Sequence, residues 1–387
     1  MAEPGYLAVV GHDEIRLRLA RAAELGRLPQ SLLLHGPRGV GKQRLALWTA
    51  ALLNCTGGWP RPCGDCRACR LSGRLAHPDI HWFFPLPRPK RASSNEQLEQ
   101  KLEDYRAEVL EERRANRLYV EEEESATGIY VAAVQTMRRH AYRAPAMGPA
   151  KVLIIGRAEA LVPQLGNPEA ANALLKLLEE PPADTTLILS SDVPGALLPT
   201  VRSRVQGVRV HPLPTRQVAE FLAAELELTA AQARRLAAAS GGSIGKALEL
   251  LGEDRESVQE TSVALVRALL DGSAAARLAA AHAYRSFGAR GAFGRVLGET
   301  RSLLRDLLAL ATGAGDAAAD PESVASLVGR TPPGPERIID ALAAVDDARQ
   351  LADRNVNPQL IVVNLLRQAN LARSIAPAGS MAEGRRR

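Results

Sequence analysis

Residues Ser31 to Gln43 read SLLLHGPRGVGKQ. An apolar run, Leu32-Leu33-Leu34, leads into Gly36-Pro37-Arg38-Gly39-Val40-Gly41-Lys42, and a second apolar run, Leu45-Ala46-Leu47-Trp48, follows. Strand, glycine-rich loop and helix in that order form a phosphate cradle. Glycines let backbone N–H groups curl around an anion, the helix N-terminus adds partial positive charge, and Lys42 reaches the terminal phosphates. The spacing fits G-x-x-x-x-G-K, but the next residue is Gln43, where Ser or Thr would ligate magnesium. Phosphate binding by Gly36 through Gln43 is therefore expected, and hydrolysis is not. A glycine turn without ligand is the alternative, and the flanking strand and helix argue against it.

Outward from that loop, the 387-residue chain has room for two or three domains. It is 46% hydrophobic and 24% charged, a globular composition. No apolar run reaches the length of about eighteen residues that crosses a bilayer. Met1-Ala-Glu-Pro-Gly5 lacks the basic-then-apolar order of a secretory signal, which predicts a cytoplasmic protein with no membrane partner. The net charge of +6 permits contact with nucleic acid, but Arg385-Arg386-Arg387 carries much of it. Aromatic residues, at 4%, are too few for a single-strand stacking platform.

Before the cradle, residues 7–28 place Leu7, Val10, Ile15, Leu17, Leu19, Ala23 and Leu25 at helical spacing and end near Gly26, an amphipathic helix. The opening Val10-Gly11-His12 adds nothing specific. Just after the cradle helix lie all four cysteines, Cys55, Cys63, Cys66 and Cys69. Overlapping C-x-x-C turns bring three thiolates together, and the seven-residue loop lets Cys55 close a tetrahedron, a closed structural Zn(II) site. Buried free thiols and a redox dithiol are the alternatives; His77 could replace one cysteine or simply end a helix. Residues 85–128 then change character. Pro85, Pro87 and Pro89 alternate with Arg88, Lys90 and Arg91, and Ser94-x-x-Gln97 opens a capped helix. Leu98, Leu102, Tyr105 and Val109 form a narrow seam on an otherwise charged rod. The favoured reading is a solvated surface insertion, with a docking seam as the alternative.

From Ile129 to Arg138 the pattern is helical, and Lys151–Ile155 is a fully apolar strand of the buried parallel kind. A helix starts at Asn167-Pro168, carries Leu174, Leu175, Leu177 and Leu178, and stops at Pro181-Pro182. Strands are expected at Thr185–Ser191 and Val205–Val210. Alternation from 31 to 210 reads as an α/β parallel sheet covered on both faces. Beyond Pro214 the sequence is helical. Thr215 caps one helix, Thr229-x-x-Gln232 boxes a second, and Ser243 starts a third after Gly241-Gly242. Ala- and Leu-rich helices follow from Val258 to Arg373, broken at Gly272, Gly313 and Pro332-Pro333.

Taken together, the cradle, the cysteines, the Asn172-ALLKLLEEP-Pro182 region and the Leu197-LPTVRS-Arg204 block resemble the AAA+ clamp-loader subunits of bacterial DNA polymerase III. The closing Asn355-Val-Asn357-Pro358-Gln359-Leu360 helix continues the similarity, which omits only the insertion and the tail. The resemblance implies a nucleotide-binding core over 1–212 with a zinc knuckle at 55–69 and an insertion at 85–128. It further implies a helical lid over 213–253, a helical collar over 254–375 and a disordered tail at 376–387.

The departures from the family pattern suggest which kind of member this is. Where an active subunit has an acidic pair after the strand at 152–155, this chain has Gly156 and Arg157, and Glu159 lies further along. Gln43 replaces a hydroxyl, and Gly245 in Gly242-Ser-Ile-Gly245-Lys-Ala-Leu248 stands where active loaders keep a phosphate-sensing arginine. Phosphoryl transfer depends on metal and charge placement, so the three losses together predict no turnover and no catalytic Mg(II). Arg204 survives, and in the family that arginine is thought to reach a neighbour's ATP. The pattern looks like the delta-prime kind: a non-hydrolysing stator beside delta and gamma/tau in a five-subunit ring that loads a sliding clamp on primed DNA. ATP or ADP could still bind without turnover. An ATP-hydrolysing gamma/tau subunit and a DNA-binding zinc module using the basic residues near Cys63 to Arg70 are the rivals. Arg204 is expected to face outward without a local carboxylate, and Arg202 to make the local ion pair.

Overall fold

The computed structural model describes residues 5–89, 94–119, 127–161, 168–251, 255–271, 292–315, 324, 333–353 and 356–374. They fall into two compact units, the first ending at Glu249 and the second beginning at Leu250.

The first unit is built on a parallel sheet, five-stranded among the described residues. Its strands are β1 (Ser31–His35), β2 (Ile80–Phe83), β5 (Lys151–Ile155), β6 (Thr185–Ser191) and β7 (Gln206–Arg209), in the order β2-β5-β6-β1-β7. A short antiparallel pair, β3 (Leu86–Pro87) with β4 (Thr127–Gly128), stands apart. Every residue of β5 and β6 is buried, as central parallel strands with helices on both faces must be. The period of two sorts β1: Leu32 and Leu34 enter one core with Leu45, Leu52 and Ile154. Leu33 enters the other, with Leu153, Leu187 and Leu189.

Helices α1 (Asp13–Glu24), α2 (Lys42–Asn54) and α3 (Arg67–Gly73) precede β2. The edge strand β2 escaped the sequence reading because its four residues, IHWF, show neither alternation nor an aliphatic run. Tertiary context makes it a strand. Just before it, buried Asp79 accepts N–H bonds from Ala146, Met147 and Gly148 at 2.6, 2.8 and 2.8 Å and pairs with buried Lys151 of β5 at 3.2 Å. Burial alone would push this carboxyl up, but those N–H donors and Lys151 hold it at about 2.

Helix α4 (Asn95–Ala115) corrects the reading of the insertion as a solvated protrusion. Ser94 caps it, accepting from the Gln97 N–H at 3.2 Å, as the sequence predicted. The seam of Leu98, Leu102, Tyr105 and Val109 then packs into this chain's own core, with Leu102 buried beside Trp82 and Phe84. The aromatic side chains around β2 need a cover, and α4 provides it. Residues 90–93 and 120–126 lie outside the described residues.

Helices α5 (Val131–Ala141) and α6 (Glu169–Glu179) cover the second face, with Met137, Leu174 and Leu177 fully buried. After a single turn, α7 (Pro199–Arg202), and β7, the unit finishes with α8 (Thr215–Glu225), α9 (Ala230–Ser240) and α10 (Ile244–Glu249). The Thr229–Gln232 capping box forms with both reciprocal bonds, at 3.3 and 3.0 Å. Thr215, expected as a cap, is instead the first helical residue after Pro214.

Among the described residues, the second unit consists, apart from short pieces, of α11 (Arg255–Asp271), α12 (Ala292–Ala311), α13 (Pro335–Asp353) and α14 (Pro358–Ser374). Leu265, Leu269, Leu297, Leu304, Ile338, Val345, Ile361 and Leu365 form one core. Each such side chain contributes about 1.5–3 kcal/mol when fully buried. Asn357 accepts the Gln359 N–H at 2.9 Å and Pro358 opens α14, a helix start legible in the sequence. The breaks expected at Gly272 and Pro332, the start at Asn167 and the tail at 376–387 lie outside the described residues.

Candidate functional site

The cradle forms at the C-terminal end of β1, between β6 and β7, where a parallel sheet opens a crevice for a ligand. Gly36 through Gly41 make the turn and Lys42 begins α2. The Lys42 ammonium is buried. It donates to Gly36 O at 2.8 Å and Pro37 O at 2.6 Å, and pairs with Asp192 Oδ1 at 2.5 Å.

Helix α10 closes over the loop. Gly245 N–H donates to Gly39 O at 2.9 Å, Ser243 Oγ donates to Arg38 O at 2.8 Å, and Arg38 pairs with Glu249 at 3.0 Å. The approach is tight: a Cβ on Gly245 would lie 2.7 Å from Gly39 Cα, and Gly39 itself sits at φ 73°. From the other side His12 Nε2 donates to Val40 O at 2.7 Å. Between loop, α10 and the residues before α1 lies a cavity of about 240 Å³. Val9, Val10, Leu213, Phe221, Ile244 and Leu248 give it an apolar wall. Its charged lining is Arg38, Lys42, Arg44, Arg113, Arg117 and Arg157 against Asp192, Glu225 and Glu249, six cations to three carboxylates. An apolar wall beside a cationic cradle suits a nucleoside polyphosphate.

The position for magnesium is different. Gln43 lies against Gly156, where a Cβ would come 3.1 Å from Gln43 Nε2 and 3.3 Å from Trp82 Nε1. Gln43 Oε1 accepts from Arg113 at 3.4 Å, so a guanidinium stands where a cation's ligands would be needed. Arg113 is held by stacking over Trp82 at 4.2 Å and Phe84 at 4.3 Å. Glu159 offers no substitute: it is absent from the cavity lining, and its Oε1 accepts the Asp192 N–H at 3.3 Å. Burial, then the nearby Asp192 charge, pushes its carboxyl up. The residues present do not fit a phosphate-bound magnesium ion.

Arg204 overturns one expectation. It follows α7 and pairs with Glu179, the last residue of α6, at 2.5 Å, and donates to Thr200 O at 2.8 Å. The local ion pair falls to Arg204 and not to Arg202, because α6 delivers Glu179 from 25 residues upstream. The Arg204 side chain is 33% exposed.

The four cysteines converge on one point, their Sγ atoms all within 4.8 Å of one another. Cys66 to Cys55 is 3.9 Å and Cys63 to Cys69 is 4.0 Å, close to the edge of about 3.8 Å that tetrahedral Zn–S bonds of about 2.3 Å require. Cys55 follows the last residue of α2, and Cys66 caps α3 by accepting the Cys69 N–H at 3.4 Å. Burial raises the Cys66 thiol, but N–H bonds from Cys69 and Thr56 and the Thr56 hydroxyl bring it to about 5. Burial pushes Cys55 and Cys69 up, so a dication would have two reluctant thiols to ionise. The donor set fits Zn(II). His77 is not part of the cluster; its Nδ1 accepts the Asp79 N–H at 3.1 Å.

Sequence reading missed Val9, Arg113, Tyr119, Asp192 and Phe221 at the cavity, and His12 on the cradle carbonyl of Val40. Val9-Val10-Gly11-His12 carried the one available signal, a short apolar run ahead of a helix start. The others arrive from far along the chain.

Solved structures resemble the chain distantly. A DNA polymerase III gamma-subunit-related protein from Thermotoga maritima has a TM-score of 0.38 at 15% identity, covering 91% of this chain and 98% of that one. The RuvB Holliday junction branch migration motor of the same organism has a TM-score of 0.36 at 15% identity, covering 86% and 94%. The fold is defined by the strand order β2-β5-β6-β1-β7 of its sheet. Among curated relatives, DNA polymerase III subunit delta' of Pseudomonas aeruginosa is 36% identical over 225 residues, 57% of this chain and 55% of that protein. The Bacillus subtilis subunit delta' is 29% identical over 236 residues, 61% and 58%. The gamma/tau subunit of Mycobacterium tuberculosis strain H37Rv is 28% identical over 270 residues, 68% of this chain and 39% of that protein. The chain thus spans little more than half the length of those two delta' relatives. A family model described as DNA polymerase III, delta subunit, matches residues 11–214, more than half of the chain. With its delta' relatives beside it, the protein belongs to the DNA polymerase III delta subunit family.

Proposed function

We propose that the chain acts as the delta-prime subunit of a DNA polymerase III clamp loader, a stator that turns over no ATP itself. It would sit with delta and gamma/tau in a five-subunit ring and help place a sliding clamp on primed DNA. The observation that carries this reading is neutral Gln43 packed on Gly156, with the Arg113 guanidinium beside it, at the magnesium position. A phosphoryl-transfer site without metal ligands has lost its main source of charge stabilisation. The cradle and Lys42 remain, which supports binding of ADP or ATP without turnover. Cys55, Cys63, Cys66 and Cys69 would hold one structural Zn(II), with no open position for chemistry. Arg204 would leave Glu179 for the phosphates of a neighbouring subunit's ATP and act there in trans.

The test is an ATPase assay of the purified chain, alone and then mixed with partner subunits. No turnover alone and stimulated turnover in the mixture are expected. Turnover by the lone chain at about 1 per second or faster would overturn the stator reading in favour of the gamma/tau reading.

A further inference from the structure

Lys42 ends in an ammonium with three N–H donors, and the structure gives it three acceptors: Gly36 O at 2.8 Å, Pro37 O at 2.6 Å and Asp192 Oδ1 at 2.5 Å. The Lys42 side chain is 4% exposed and that of Asp192 18%. Two of the acceptors are the cradle's own carbonyls, which hold the ammonium in place. The third is an anion. In a phosphate cradle the lysine meets the β- and γ-phosphates, so a carboxylate on it takes the position of an incoming phosphate oxygen. Asp192 is well placed to keep that role. It directly follows buried Ser191 at the end of β6, its N–H is bound by Glu159 at 3.3 Å, and it lines the same cavity as the cradle.

We propose that Asp192 is a built-in competitor for the polyphosphate, so that a nucleotide binds this cradle by displacing the Asp192 carboxylate from Lys42. The inference rests on the nucleotide-binding reading given above. The displaced carboxylate stays anchored at the end of β6, close to the anion that replaced it, and repels it. The repulsion grows with the ligand's charge. With no magnesium ligands at Gln43 and Gly156 to recruit a neutralising ion, a triphosphate suffers more than a diphosphate. Asp192 therefore sets both a weak affinity and a preference for the diphosphate.

The experiment is calorimetric titration of the full chain with ADP and with ATP, using wild type, Asp192→Asn, Asp192→Ser and Lys42→Ala, each checked by thermal melting. Wild type should prefer ADP. Either Asp192 variant should bind ADP about ten-fold more tightly or better, the size of one charge-assisted contact, and gain still more for ATP. Lys42→Ala should abolish binding. If wild type binds but a folded Asp192 variant binds no tighter, the competitor role is overturned while the nucleotide reading stands. Wild type preferring ATP would also overturn it, even if both Asp192 variants misfold. If wild type, Asp192→Asn and Asp192→Ser are all folded and none binds either nucleotide, the nucleotide reading itself fails.

Discussion

Arg204 makes its contacts through one guanidinium: the Glu179 carboxylate, Thr200 O and the Ser203 hydroxyl. It is partly exposed, and an ion pair in that setting contributes at most about 1 kcal/mol to stability. Arg204→Ala should therefore leave the melting curve of the isolated chain nearly unchanged. In trans, an arginine at a transferring phosphate is worth roughly 10³ to 10⁵ in rate. A ring with several ATP sites would lose less, since the other sites keep their own contacts. The expected outcome is normal ring assembly with a clear drop in DNA-stimulated ATPase and in clamp loading. Normal ATPase in an assembled Arg204→Ala ring would remove the trans role. Nothing near Arg204 in sequence revealed Glu179 as its partner, since the pairing depends on where α6 ends relative to α7. Lys42 was legible from spacing alone, whereas its partner Asp192 was not.

Among the elements, those defined by local chemistry were the easiest to read. The cradle loop, the Ser94 cap, the Thr229–Gln232 box, the apolar strand β5 and the cysteine spacing all rest on residues within a few positions of one another. What needed the folded chain was the destination of a surface. The seam on α4 was visible as a 4-3-4 pattern, but a pattern does not say whether its partner is another protein or the edge of the chain's own sheet. It is the latter, so the seam is part of the core. Leu102→Ala should cost about 2–5 kcal/mol in denaturant unfolding, and removing the helix should expose Trp82 and Phe84. A loss below about 0.5 kcal/mol for Leu102→Ala would mean that α4 is a tolerated ornament. The knuckle gives a second test at this scale. Freshly purified protein should contain one zinc per chain, and Cys66→Ser should lose it while the sheet still forms. Less than half an equivalent of metal in the native protein would defeat the assignment.

For the molecule as a whole, acid is the informative stress. Burial depresses His77, His81 and His140, with His81, stacked on His140 at 3.8 Å, brought to about 3. A depressed histidine takes up its proton more readily in the unfolded chain, so its penalty is absent above about pH 6.5 and grows as pH falls below that. Asp79 acts lower down. Its stabilisation is complete above about pH 4, the unfolded value, and is lost as pH falls toward about 2. Stability should thus decline continuously from about pH 6.5 downward, and His81→Gln should flatten the upper part of that decline. Denaturant titrations at about pH 7.5, 5.5 and 4 would read this directly, and equal stability at the first two would contradict it.

The contact of Gly245 with Gly39 closes position 245 to any residue that carries a side chain. A chain that acquires glycine there lets two backbones settle at a distance no side chain tolerates, with the Gly245–Gly39 hydrogen bond and the Arg38–Glu249 pair formed around it. An arginine placed at 245 would drive its Cβ into the loop and prise α10 away from it. The joint works as a ratchet: a larger residue enters position 245 only after the two backbones have first parted.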